Sequence, residues 1–116
     1  RLEAEGAEFH SQSDCEIVPH LYRRHGAQLG AELVGMFAGA VIDLAAPRPR
    51  LTLLRDRLGI KPLYYARVPG GLLFGSEPKA LLASGMLARE LRPEALLEFL
   101  MQGYVGGPLA AWAGMR

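Results

Sequence analysis

Few residues in this chain have the chemistry of a reactive group, and their spacing limits what each could do. Cys15 is the single cysteine. It falls in the first turn of an expected helix, where a thiolate would be stabilised, but neither His10 nor His20 is placed by sequence to act as its base. A structural role is the favoured reading. His10, His20 and His25 show no ligand spacing with Cys15 or with one another, so no metal site is expected. Asp14 stands beside a capping serine at the opening of the same helix. A carboxylate there gains about 0.3–1 kcal/mol from the helix dipole, or could face a cationic group of a ligand. The richest stretch is Arg55-Asp56-Arg57-Leu58-Gly59-Ile60-Lys61-Pro62-Leu63-Tyr64-Tyr65. It sets three cations around one carboxylate ahead of a Gly/Pro turn. It reads either as a solvated charged turn or as a turn specified by a fixed Asp56–Arg57 pair.

The elements that position these groups follow from periodicity and punctuation. Residues 1–5 read as the tail of a helix stopped by Gly6, and 7–11 as a short strand or extended link. Ser13-x-x-Glu16 reads as a capping box opening a helix that Gly26 closes, with Ile17, Val18, Leu21 and Tyr22 as its apolar stripe. Pro19 lies inside it, and a kink or a 3₁₀-like first turn is expected. A second short helix is expected over 28–33. Residues 36–43 read as a strand buried on both faces, 44–50 as a turn and 51–55 as the returning strand. Residues 63–68 and 71–75 flank Pro69-Gly70 and read as a second hairpin. Residues 78–83 and 93–102 are helices opened by Pro78 and Pro93. The stripe of the last helix is Leu96, Leu97, Leu100 and Met101. The expected core includes Leu33, Phe37, Ile42, Leu53, Leu63 and Phe74. Antiparallel hairpins between runs of helix make the class α+β, with a layered sandwich to cover the first strand.

Composition excludes several functions. Half of the 116 residues are hydrophobic and 22% are charged, enough for a core. Lys and Arg number 13 against 12 Asp and Glu, so charge gives no case for nucleic acid or an anionic membrane. No stretch approaches the about 20 apolar residues that span a bilayer. One cysteine cannot form an internal disulfide, and a lone thiol fits a reducing compartment. The opening RLEAEGAEFH has no signal-peptide pattern. Both ends read as cut, so a piece of a larger chain is expected, with strand edges that make the isolated piece poorly soluble.

Leu33-Val34-Gly35-Met36-Phe37-Ala38, the 55–65 stretch and Phe74-Gly75-Ser76-Glu77-Pro78-Lys79-Ala80-Leu81 stand in a familiar order. Ser13-Asp14-Cys15-Glu16 lies upstream of them. Pro93-Glu94-Ala95-Leu96 and Gly103-Tyr104-Val105 lie downstream. In that order and spacing the chain resembles the glutaminase domain of glutamine-hydrolysing asparagine synthetases over nearly its whole length. The resemblance implies a class II glutamine amidotransferase with the N-terminal-nucleophile (Ntn) αββα sandwich, here incomplete. In that family an N-terminal Cys attacks the glutamine side-chain amide with its own α-amino group as base. Ammonia then passes to a synthetase domain that uses ATP and Mg to activate a carboxylate such as aspartate. The implied partners are glutamine and that synthetase domain, in the cytoplasm, with no nucleic acid, no membrane and no cofactor in these residues. The match carries one role onto this sequence: Asp14 contacts the α-amino group of bound glutamine. Residue 1 is Arg, and Cys15 belongs to the helix motif, so no catalytic residue is expected here and the chain alone should be inactive. Residues 1–92 are expected to be the C-terminal part of the glutaminase domain, and 93–116 the start of the connection to the synthetase domain. Gly39 replaces a bulky aromatic and Pro19 an aliphatic; the first should leave a gap in the core. The alternatives are a degenerate, non-catalytic binding or interaction module, and a glutaminase serving a different acceptor.

Overall fold

The computed structural model describes residues 2–108 and 110–116. The part of the expected helix tail that falls on Arg1 lies outside them. The chain divides into two units, Arg1–Ile60 and Lys61–Arg116.

In the first unit, Glu3–Glu5 forms a 3₁₀ turn that ends at Gly6, and residues 7–10 continue without regular structure. A second 3₁₀ turn, Asp14–Glu16, runs into helix α1, Ile17–His25. The 3₁₀ first turn expected from Pro19 is therefore present. Pro19 is the third residue of α1, where a backbone N–H has no intrahelical acceptor to lose. The next helix is 3₁₀ and lies earlier than expected, at Gly26–Ala31. Strands β1, Ala38–Asp43, and β2, Arg50–Arg55, pair antiparallel from Ala38↔Arg55 to Asp43↔Arg50. The core gathers Leu21, Leu29, Leu33 and Leu54, with Ile17, Val18, Tyr22, Phe37 and Val41 packed against them.

The turn after β2 is specified by Asp56, which is only 6% exposed. Its Oδ1 accepts the N–H groups of Leu58 (3.2 Å) and Ile60 (3.0 Å). Its own N–H donates to the Phe37 carbonyl at 2.8 Å. The expected Asp56–Arg57 pair does not form: Arg57 Nη2 donates to the Ala31 carbonyl at 2.9 Å. A buried carboxylate is served here by turn amides, and the exposed guanidinium is left to tie the turn to the preceding 3₁₀ helix. Gly59 is required at this turn. Its φ is +64°, and a Cβ there would come within 2.8 Å of the Arg55 guanidinium, which donates to the Gly59 carbonyl.

In the second unit, β3, Tyr64–Val68, and β4, Gly71–Gly75, pair antiparallel across the Pro69-Gly70 turn. Helices α2, Pro78–Ala83, and α3, Pro93–Gln102, follow at the expected bounds. Residues 110–116 return to β3. Tyr65 and Arg116 exchange backbone hydrogen bonds of 2.8 and 2.9 Å, and Ala66 bridges Met115. The core is Ala66, Leu81, Leu82, Ala110 and Met115.

Two antiparallel pairs with helices around them make the chain α+β. The expected core is corrected in part. Leu33 is buried and Phe37, Leu53 and Leu63 are half-buried, but Ile42 is 62% exposed and Phe74 42%. Strand β1 is thus covered on one face, by α1 and the 3₁₀ helix after it, and not on both. The apolar stripe of α3 is also exposed, and Ala95 is its buried residue.

Candidate functional site

The start of α1 is held by a network that differs from the expected capping box. Ser13 Oγ accepts the Cys15 N–H at 3.3 Å, as an N-cap serine does, but Glu16 does not reach back to Ser13. The Glu16 carboxylate instead accepts the N–H groups of His10 (2.6 Å) and Ser11 (2.9 Å) and the Ser11 hydroxyl. Ser11 Oγ in turn accepts the Ser13 N–H at 3.2 Å. Ser11 therefore takes the place that Ser13 occupies in the usual box. The hydroxyl of Ser11 and the amide of His10 hold the Glu16 carboxyl below its ordinary range. The Phe9 and His20 rings stand 4.9 Å apart at 42°. Residues 9–11 are thereby pinned across the beginning of α1 from both sides.

That arrangement leaves Asp14 as the first residue of the 3₁₀ turn, exposed, its carboxylate making no hydrogen bond or ion pair with any described residue. Its backbone is fixed by neighbours on both sides while its carboxylate is unengaged. Such a group can receive an ammonium with little rearrangement. Cys15 is exposed as well. Among the described residues no group of three or more His, Cys, Asp or Glu could hold a metal ion. Among them, too, no helix is long and apolar enough to cross a membrane.

A cleft of about 1210 Å³ opens between α1 and the β1–β2 hairpin. Cys15, Val18, Tyr22, Phe37, Gly39 and Leu54 are among its walls. Gly39 is exposed at this cleft, so the gap expected there is not one in the core; nothing lies within 4 Å of where its Cβ would stand. Asp14 is not part of this lining. Arg23, Asp43 and Arg50 are part of it, and no motif in the sequence marks them. The hairpin register sets Asp43 opposite Arg50.

Over residues 1–116 the chain matches the family described as glutamine amidotransferase domain. The chain belongs to that family. Asparagine synthetase [glutamine-hydrolyzing] 2 of Bacillus subtilis is 36% identical over 96 residues, 82% of this chain and 13% of that protein. Asparagine synthetase [glutamine-hydrolyzing] 1 of the same organism is 34% identical over 107 residues, 92% of this chain and 16% of that protein. Amidase chyE of Penicillium rubens is 46% identical over 79 residues, 68% of this chain and 12% of that protein. This amidotransferase-family chain thus spans only a small share of the length of the relatives it matches.

Proposed function

We propose that these residues are the later part of a glutaminase domain of the asparagine synthetase type, whose protein hydrolyses glutamine to glutamate and ammonia. The observation that carries the reading is the unengaged Asp14 carboxylate, held at a fixed backbone position inside the Ser13-Asp14-Cys15-Glu16 motif of a glutamine amidotransferase domain. Asp14 receives the α-ammonium of glutamine in a charge-assisted hydrogen bond. The substrate is thereby held at its amino-acid end while its side-chain amide is presented to the nucleophile.

The nucleophile is a cysteine at the mature N-terminus of the intact protein, not Cys15. Its sulfur bonds to the amide carbon, its α-amino group carries the thiol proton to the leaving nitrogen, and ammonia departs. Water then adds to the thioester, regenerating the thiol and releasing glutamate. The complete domain is the Ntn αββα sandwich, with residues 1–92 in its later part and 93–116 beginning the connection to a synthetase domain. That domain uses ATP and Mg to activate the carboxylate that accepts the ammonia, and the setting is the cytoplasm. The acceptor is chosen outside this chain. Relatives named asparagine synthetase and amidase match it alike, so an acceptor other than aspartate is a reading of equal standing.

The test is ammonia and glutamate release from glutamine by the full-length protein and by the 116 residues alone. The expected result is turnover by the full-length protein and none by the short chain. A full-length protein that binds glutamine without hydrolysing it would instead establish the degenerate binding module.

A further inference from the structure

Two carboxylates stand close together at the opening of α1, and their surroundings are opposite. Both oxygens of Glu16 are occupied. Its Oε1 accepts the His10 N–H at 2.6 Å, and its Oε2 accepts the Ser11 N–H at 2.9 Å and the Ser11 hydroxyl. The Asp14 carboxylate has no hydrogen bond or ion pair with a described residue. An ammonium arriving at this turn therefore gains its charge-assisted bond at Asp14, because the lone pairs of Glu16 are already served.

The bonds that occupy Glu16 also close the chain around Asp14. Ser11 and Glu16 are joined through both the amide and the hydroxyl of Ser11, so the segment 11–16 is tied at its two ends. Within it, Ser11 Oγ accepts the Ser13 N–H at 3.2 Å and Ser13 Oγ accepts the Cys15 N–H at 3.3 Å. The Glu16 N–H donates to the Ser13 carbonyl at 3.2 Å. Asp14 is the residue these bonds straddle. The Ser11 hydroxyl is common to two of them: it donates to Glu16 and accepts from Ser13. A charged acceptor strengthens the bond it receives and polarises the hydroxyl for the next one. The order at Asp14 is thus set on folding and is not lost again when a ligand binds, which is the condition for a weak, single contact to hold a small substrate.

We propose that Glu16, acting through Ser11, is a positioning residue for glutamine: it does not touch the substrate, and it fixes the place at which the Asp14 carboxylate meets the α-ammonium. The proposal rests on the reading of Asp14 given above and adds to it the group that keeps Asp14 in place.

Steady-state glutaminase kinetics of the full-length protein test it, with Glu16→Gln, Asp14→Asn and the double variant. Glu16→Gln should raise KM for glutamine about threefold to tenfold, the worth of one net hydrogen bond, with kcat nearly kept. In the Asp14→Asn background the same substitution should change KM by less than about twofold, because the carboxylate it positions is gone. A merely structural role would raise KM or lower stability equally in both backgrounds. Ser11→Ala should raise KM in the same direction as Glu16→Gln, and Ser11→Thr, which keeps the hydroxyl, should hold the parent value. Glu8→Gln removes an exposed acid of the same segment that lies outside the network, and should leave KM unchanged. Circular dichroism and thermal melting establish that the variants fold. An unchanged KM in Glu16→Gln, or the same rise with and without Asp14, overturns the positioning role while leaving the Asp14 reading intact. An unchanged KM in Asp14→Asn overturns that reading and the proposal with it.

Discussion

Hairpin β1–β2 in the first unit and hairpin β3–β4 in the second each join two short antiparallel strands, and both carry apolar residues on both faces. They are finished differently. On β3 the returning segment 110–116 adds backbone hydrogen bonds along the free edge and seats Met115, 1% exposed, against Ala66. On β1 among the described residues there is no third strand. One face, with Leu54 of β2, packs on Leu21 and Leu29 while Ile42 is exposed, and beside Gly39 the cleft is open. A two-stranded hairpin is marginal by itself, and what stabilises it is the layer or strand that closes it. In the second unit that closure is part of the chain's own sequence. In the first it is a row of leucines supplied by α1 and a 3₁₀ helix.

The comparison is most sharply broken by core truncation. Leu29 is 0% exposed and Met115 1%, so each alanine substitution should cost about 2–5 kcal/mol. Leu29→Ala should strip hydrogen-exchange protection from the amides of β1 and β2 and leave those of β3 and β4 protected. Met115→Ala should do the reverse. Equal loss in both hairpins from either substitution would show that the two units stand or fall together. A smaller effect tests the cleft. Gly39→Ala places a methyl group into open space on a strand whose φ suits any residue, and should raise stability by about 0.5–1 kcal/mol in urea unfolding. A loss of stability would mean that Gly39 is needed for the strand and is not slack at the cleft.

Much of the architecture was legible locally. Pro78 and Pro93 marked the first residues of α2 and α3, Gly103 the end of α3, and Pro69-Gly70 the second turn, because each acts through its own backbone torsions. Burial was less legible. Ile42 and Phe74 have the residue types of a core, but what covers a strand face is decided by segments distant in sequence. The capping box failed on a competitor: Ser11 offered Glu16 both an amide and a hydroxyl, and nothing in Ser-x-x-Glu excludes that. The return of residues 110–116 to β3 was invisible in sequence because it joins segments distant along the chain. Asp14 was found by motif alone. Its exposure and its freedom from partners are what the structure adds.

The central claim is that this free carboxylate holds the amino group of glutamine, and the most direct measurement is steady-state glutaminase kinetics of the full-length protein with Asp14→Asn. The substitution preserves size at an exposed position with no described partner, so the fold should be unchanged. The account predicts that KM for glutamine rises about tenfold to a hundredfold, the loss of one charge-assisted bond, with a smaller change in kcat. A KM for glutamine unchanged from the parent protein would contradict it.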